Sequence, residues 1–193
     1  AVEVLTGKGE VVICSADHEP EFYAVARLGL GAAGIITRLQ LQLRESYKLR
    51  EDGLDMIFSD LFQQLSELAA SHDRFEFFWH PQSDRATVKL TDETTDHPEY
   101  PLAEEGRRCA WNYEVLPSHR PHLHTEMEYS VPEELGPACF AELRQMIQTD
   151  FSEVRWPVEY RTLAADNIWL STACGRQTVT ISVHEDIRLD DSV

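Results

Sequence analysis

Glu159 and Arg161 stand two residues apart in Val158-Glu159-Tyr160-Arg161-Thr162, a segment that reads as a strand. Side chains on a strand alternate between faces, so the acid and the base project together while Val158, Tyr160 and Thr162 go to the other side. If the shared face is solvent, the two form an exposed ion pair contributing at most about 1 kcal/mol. If it lines a pocket, they are a hydrogen-bonding pair able to orient a polyol. Spacing alone leaves both readings open.

Other polar residues sit on strand-like segments nearby. Glu126 lies within residues 123–131, and Ser182 and His184 share one face of the segment 177–185. A single histidine on a strand serves equally well as a satisfied structural residue or as a pocket residue. His119, His122 and His124 have the spacing His-x-x-His-x-His, but they lie in a proline-rich connection with no evident fourth ligand, so no metal is expected. Gly29, Gly31 and Gly34 spell Gly-x-Gly-x-x-Gly after a helix and before a strand. A dinucleotide fingerprint needs the reverse order, which excludes an NAD site there.

These residues need a scaffold, and periodicity predicts one. Residues 2–6 and 11–14 read as a hairpin across a glycine-containing turn, followed by a helix capped by Ser15 or Asp17. The alternating run 35–44 predicts a half-buried strand. A charged stretch at 45–55 with Gly53 marks a boundary between residues 1–46 and 47–193. Beyond it the pattern is a helix over 55–70, an aromatic strand 75–81, a partner strand 86–90, a polar surface excursion 91–108, a strand 123–131, a helix opening at Pro132, a central strand 154–162, a short turn 164–171 and a last strand. Strands in antiparallel order flanked by helices make an α+β layer.

Composition narrows the function classes. A formal charge of −17 over 193 residues opposes a nucleic-acid or anionic-membrane partner, since phosphate binding needs clustered lysine and arginine. No apolar run reaches the roughly 20 residues of a membrane span. Cys14, Cys109, Cys139 and Cys174 are scattered without a Cys-x-x-Cys pair, which suits free thiols in a reducing compartment, so the cytoplasm is expected.

Several segments together are more specific. Residues 28–37, Leu-Gly-Leu-Gly-Ala-Ala-Gly-Ile-Ile-Thr, resemble the end of the FAD-binding domain in flavoproteins of the vanillyl-alcohol-oxidase superfamily. The segments 75–81, 126–132, 157–161 and 166–171 follow in the order seen in its D-arabinono-1,4-lactone, L-gulonolactone and alditol oxidases. The resemblance covers nearly the whole chain. It implies that residues 1–46 end an FAD-binding domain, with Gly31, Gly34, Ile35 and Ile36 near the cofactor, and that 47–193 form a substrate-binding cap. It further implies an oxidase that takes hydride from a CH–OH group of a sugar lactone or alditol to flavin, with molecular oxygen as acceptor and hydrogen peroxide as product. Glu159 and Arg161 become the catalytic pair, and Glu126, Ser182 and His184 substrate contacts, Glu126 standing where relatives often carry Gln. The flavin-anchoring segment and a lysine-bearing C-terminal segment of such oxidases have no counterpart here, so the chain is expected to be an internal fragment, inactive alone. The alternative is a non-catalytic α+β module that binds a partner through its aromatic strand and acidic surface.

Overall fold

A computed structural model of the chain describes residues 1–118 and 121–186. They fall into two compact units, Ala1–Glu45 with Ala164–Arg176, and Ser46–Leu163 with the segment that begins at Gln177.

In the first unit, β1 (Val2–Leu5) lies between β2 (Val11–Cys14) and β3 (Ile35–Leu39) in an antiparallel sheet of order β2-β1-β3. Helix α1 (Pro20–Arg27) packs Ala26 onto Val2, Val4 and Cys14. Neither Ser15 nor Asp17 caps it. Ser15 Oγ instead accepts the amides of Asp17 and His18, holding a turn, and the cap position falls to Glu19. Pro20 suits the first helical turn because its missing N–H would have no partner there. Strand β3 stops at Leu39, short of the predicted residue 44, and is exposed on both faces rather than half-buried. Ile35, at 68% exposure, and Val11 and Ile13 on β2 are apolar residues left without cover.

The second unit is a seven-stranded antiparallel sheet of order β7-β4-β6-β5-β9-β10-β8. Its strands are β4 (Lys48–Ile57), β5 (Arg74–His80), β6 (Arg85–Thr94), β7 (Cys109–Trp111), β8 (His124–Pro132), β9 (Val158–Leu163) and β10 (Thr178–Asp186). The α+β class read from the sequence is the class observed. Helices α2 (Phe58–Ser71) and α4 (Gly136–Asp150) pack on one sheet face, and a single-turn α3 (Asn112–Val115) follows β7.

The helix-covered face is apolar because period 2 on the strands meets period 3.6 on the helices. Phe75, Phe77 and Trp79 of β5, Val88 of β6, Tyr160 of β9 and Val179 of β10 are buried beneath Phe58, Leu61 and Leu65 of α2 and Phe140 and Ile147 of α4. The Phe77 ring stacks on Tyr160 at 4.9 Å and meets Phe140 edge-on at 5.0 Å. Each such ring contributes about 1.5–3 kcal/mol on burial. Asp84 pins α4 to the sheet: its carboxylate accepts Trp79 Nε1 at 2.9 Å and Arg144 Nε at 2.7 Å.

Two sequence expectations fail in this unit. The charged stretch 45–55 is mostly β4, and α2 accordingly starts at Phe58, not Asp55. Charge does not forbid a strand when each charge has a partner: Arg50 pairs with Asp96 at 3.0 Å, and Glu51 with Arg108. The excursion 91–108 is likewise not all solvated loop. β6 runs to Thr94, and Arg108 is buried.

Candidate functional site

The uncovered face of the second sheet is polar, and register decides which polar residues meet. On β9, Glu159 stands opposite Ser182 of β10 and Arg161 opposite Thr180. On the other side of β10, Ser182 faces Glu128 of β8 and His184 faces Glu126. Toward the sheet centre, Glu76 of β5 lies opposite both Arg161 and Lys89 of β6. The period-2 rule read on single strands thus becomes a cross-strand array.

The structure brings Glu126, Glu159, Arg161, Ser182 and His184 together. Arg161 Nη1 lies 3.4 Å from Glu159 Oε1, and its Nη2 donates to Glu128 Oε2 at 3.0 Å. Ser182 Oγ donates to the same Glu128 oxygen at 2.9 Å. His184 Nδ1 lies 3.0 Å from the Pro157 carbonyl, which can only accept, so Nδ1 carries a proton. Its Nε2 then points at Glu126 Oε1, 3.5 Å away, and Glu159 Oε2, 3.9 Å away. Glu159 is 3% exposed, whereas Arg161 keeps 40% of its side chain in solvent, so the pair is neither a surface ion pair nor a sealed one.

Beside Arg161 a cavity of about 390 Å³ opens, lined by Glu51, Glu76, Lys89 and Arg74 among others. Behind it lies a buried charge network. Arg108 donates to Glu51 through Nε at 2.9 Å and Nη2 at 2.6 Å, and the Gly106 amide also donates to Glu51. Lys89 Nζ sits 3.4 Å from Glu51, 3.2 Å from Glu76 and 3.2 Å from Glu105. Burial alone would raise the Glu51 carboxyl, but the Arg108 and Gly106 donors and the Lys89 charge outweigh it and hold the group below its ordinary range. Lys89 is also desolvated, yet its neighbouring carboxylates keep it firmly protonated.

Sequence reasoning missed Glu128 and this network. Glu128 was legible, since it stands two residues from Glu126 and so on the same strand face. The Glu51–Arg108 pair spans 57 residues and gives no local signal. Of the histidine triplet, His119 lies outside the described residues, His122 supplies a backbone carbonyl to His124 Nδ1 at 3.0 Å, and His124 Nε2 stands 4.0 Å from Glu126.

The predicted cofactor residues belong to the first unit. Gly34 has φ +127°, and a Cβ there would collide with the Leu5 backbone, so the strand pair by itself requires glycine at this position. Gly31 has φ +81° with open space where a Cβ would stand, and Ile35 and Ile36 expose apolar side chains.

The chain belongs to the D-arabinono-1,4-lactone oxidase family, which it matches over residues 39–112 and 104–193. It is 25% identical to the L-gulono-1,4-lactone dehydrogenase of Mycobacterium tuberculosis over 224 residues, covering 96% of this chain and 52% of that protein. It is 28% identical over 98 residues to the L-gulonolactone oxidase of Bos taurus, covering 51% of this chain and 22% of that one. It is 24% identical over 108 residues to the D-arabinono-1,4-lactone oxidase of Saccharomyces cerevisiae, covering 56% and 19%. The chain therefore spans about half the length of the mycobacterial relative.

Proposed function

We propose that the polar sheet face is the substrate side of an FAD-dependent oxidoreductase that removes hydride from a CH–OH group of a sugar lactone or alditol. The observation that carries this reading is the Arg161 guanidinium, held between Glu128 and Glu159 and open to the adjoining cavity. An acceptor and a fork of donors side by side can bind a hydroxyl in both senses, and the cavity lies in the size range of small-molecule sites. Glu159 accepts the hydroxyl's hydrogen bond and takes its proton as hydride leaves the carbon. Arg161 stabilises the charge that develops on oxygen as that proton leaves. Glu126 and His184 contact neighbouring hydroxyls, and Ser182 holds Glu128 in place.

FAD, when bound, supplies the hydride acceptor. Gly31, with open space at its missing Cβ, and the exposed Ile35 and Ile36 suit contact with a flat apolar ring, whereas Gly34 is explained by Leu5 alone. Molecular oxygen as final acceptor, hydrogen peroxide as product and a cytoplasmic setting complete the reading. The net charge of −17 speaks against nucleic acid as a partner.

The test is anaerobic stopped-flow of the full-length protein against L-gulono-1,4-lactone, D-arabinono-1,4-lactone and xylitol, following loss of visible flavin absorbance. Arg161→Ala should slow reduction by the best substrate about a hundredfold and leave FAD bound. Reduction at the unaltered rate would remove Arg161 from the chemistry, and no reduction of the unsubstituted protein by any of the three would overturn the substrate class.

A further inference from the structure

We propose that Glu126, Glu159 and His184 form a binding site for one divalent transition-metal cation, with His124 as an outlying fourth donor. This departs from the expectation of no metal, which rested on the spacing of His119, His122 and His124. The set assembled here comes from three strands, β8, β9 and β10, and the donors that meet are not neighbours in sequence.

The geometry argues first. One ligand atom from each of the three side chains lies within 4.8 Å of the others. His184 Nε2 is 3.5 Å from Glu126 Oε1 and 3.9 Å from Glu159 Oε2. A cation about 2.0–2.2 Å from each nitrogen and oxygen would set its ligands about 3–4 Å apart, so small side-chain rotations suffice. Glu159 divides its two oxygens, Oε1 toward Arg161 and Oε2 toward His184.

The independent observation is the histidine. His184 is 5% exposed, and its Nε2 is buried without a hydrogen-bond partner. Its Nδ1–H donates to the Pro157 carbonyl, which fixes the tautomer so that the Nε2 lone pair faces both carboxylates. A backbone carbonyl on the far nitrogen is how metal-binding imidazoles are usually oriented. His124 repeats the device: its Nδ1 is tied to the His122 carbonyl at 3.0 Å, and its Nε2 points at Glu126 Oε2 from 4.0 Å. Among the described residues, the carboxyl groups of Glu126, Glu128 and Glu159 stand against the guanidinium of Arg161, an acid-rich setting that suits a dication. Glu126, 41% exposed at its side chain, lies on the solvent path to the site. Imidazole with carboxylate selects zinc and its neighbours over magnesium or calcium.

The cation would occupy donors that the proposed function gives to the substrate, and its test therefore reads binding and not flavin reduction. Zinc is titrated into the protein by calorimetry after iodoacetamide treatment, so that exposed Cys174 cannot compete. One equivalent should bind. Glu126→Gln should weaken it at least about tenfold and His184→Gln about a hundredfold, with far-ultraviolet circular dichroism unchanged in the first. Magnesium at the same concentration should give no heat. Absence of a one-to-one phase would overturn the site. Zinc affinity unaltered in Glu126→Gln would overturn it equally, and would place the ion elsewhere.

Discussion

Arg161 reaches Glu128, on a strand two places away in the sheet, at 3.0 Å, closer than Glu159, its neighbour on the same strand, at 3.4 Å. The guanidinium is therefore aimed from across the sheet. Glu128 in turn is held by Ser182 Oγ, buried on the intervening strand.

Glu128 is thus a positioning residue for Arg161. In the full-length protein Glu128→Ala should lower the rate of flavin reduction about tenfold, with a smaller change in KM, because a fork free to swing supports the transition state less well. Glu128→Gln keeps an acceptor for both donors and should recover most of the loss. Equal loss in both variants, or an effect on KM alone, would give Glu128 a different role.

Arg108→Met should destabilise the second unit by about 3–5 kcal/mol, since it leaves Glu51 buried with only Lys89 as its positive neighbour. Glu51→Leu combined with Arg108→Met removes both charges and should cost less than the single change. Urea unfolding followed by tryptophan fluorescence measures both. A double variant weaker than Arg108→Met would mean that the pair itself, not the orphaned charge, carries the stability.

Stability should fall in acid. Glu51 and Asp84 both titrate below their ordinary values of 4.5 and 3.8, Glu51 because Arg108, Gly106 and Lys89 outweigh burial, Asp84 chiefly because Arg144 donates to it. A group depressed in the folded state binds fewer protons there than in the unfolded chain. Its contribution is whole above the ordinary value and is lost as pH drops through the folded one. Unfolding midpoints measured from neutrality downward should stay level until about pH 4.5 and then decline. In Asp84→Asn the decline should be shallower, from a lower plateau.

Gly136→Ala should cost about 1–3 kcal/mol although alanine is the better helix former. A Cβ there would stand 2.7 Å from Tyr160 Oη and 2.8 Å from Val179 Cγ2, both on the buried sheet face. Glycine lets the start of α4 close onto β9 and β10. Adding Val179→Ala to Gly136→Ala should recover part of the loss, measured as a shift in Tm.

The sequence by itself determined the class of fold and the face each residue takes. Phe75, Phe77 and Trp79 had to share a side and Glu159 and Arg161 another, because period 2 is a property of one strand and needs no partner. Segments such as 75–81 and 157–161 also carried the family, since their order survives in the linear chain. Tertiary structure decided what meets across strands. That Ser182 falls opposite both Glu159 and Glu128, and His184 opposite Glu126, is a matter of register, set by the whole sheet and its helix-covered face rather than by any one segment. The same holds for Glu51 and Arg108, a buried pair closing a loop of 57 residues, which made a strand of the charged stretch that looked like a joint. Long-range partners cancel charges that local sequence shows only as exposed, and that is why β4 and the cation-binding donor set were invisible until the chain was folded.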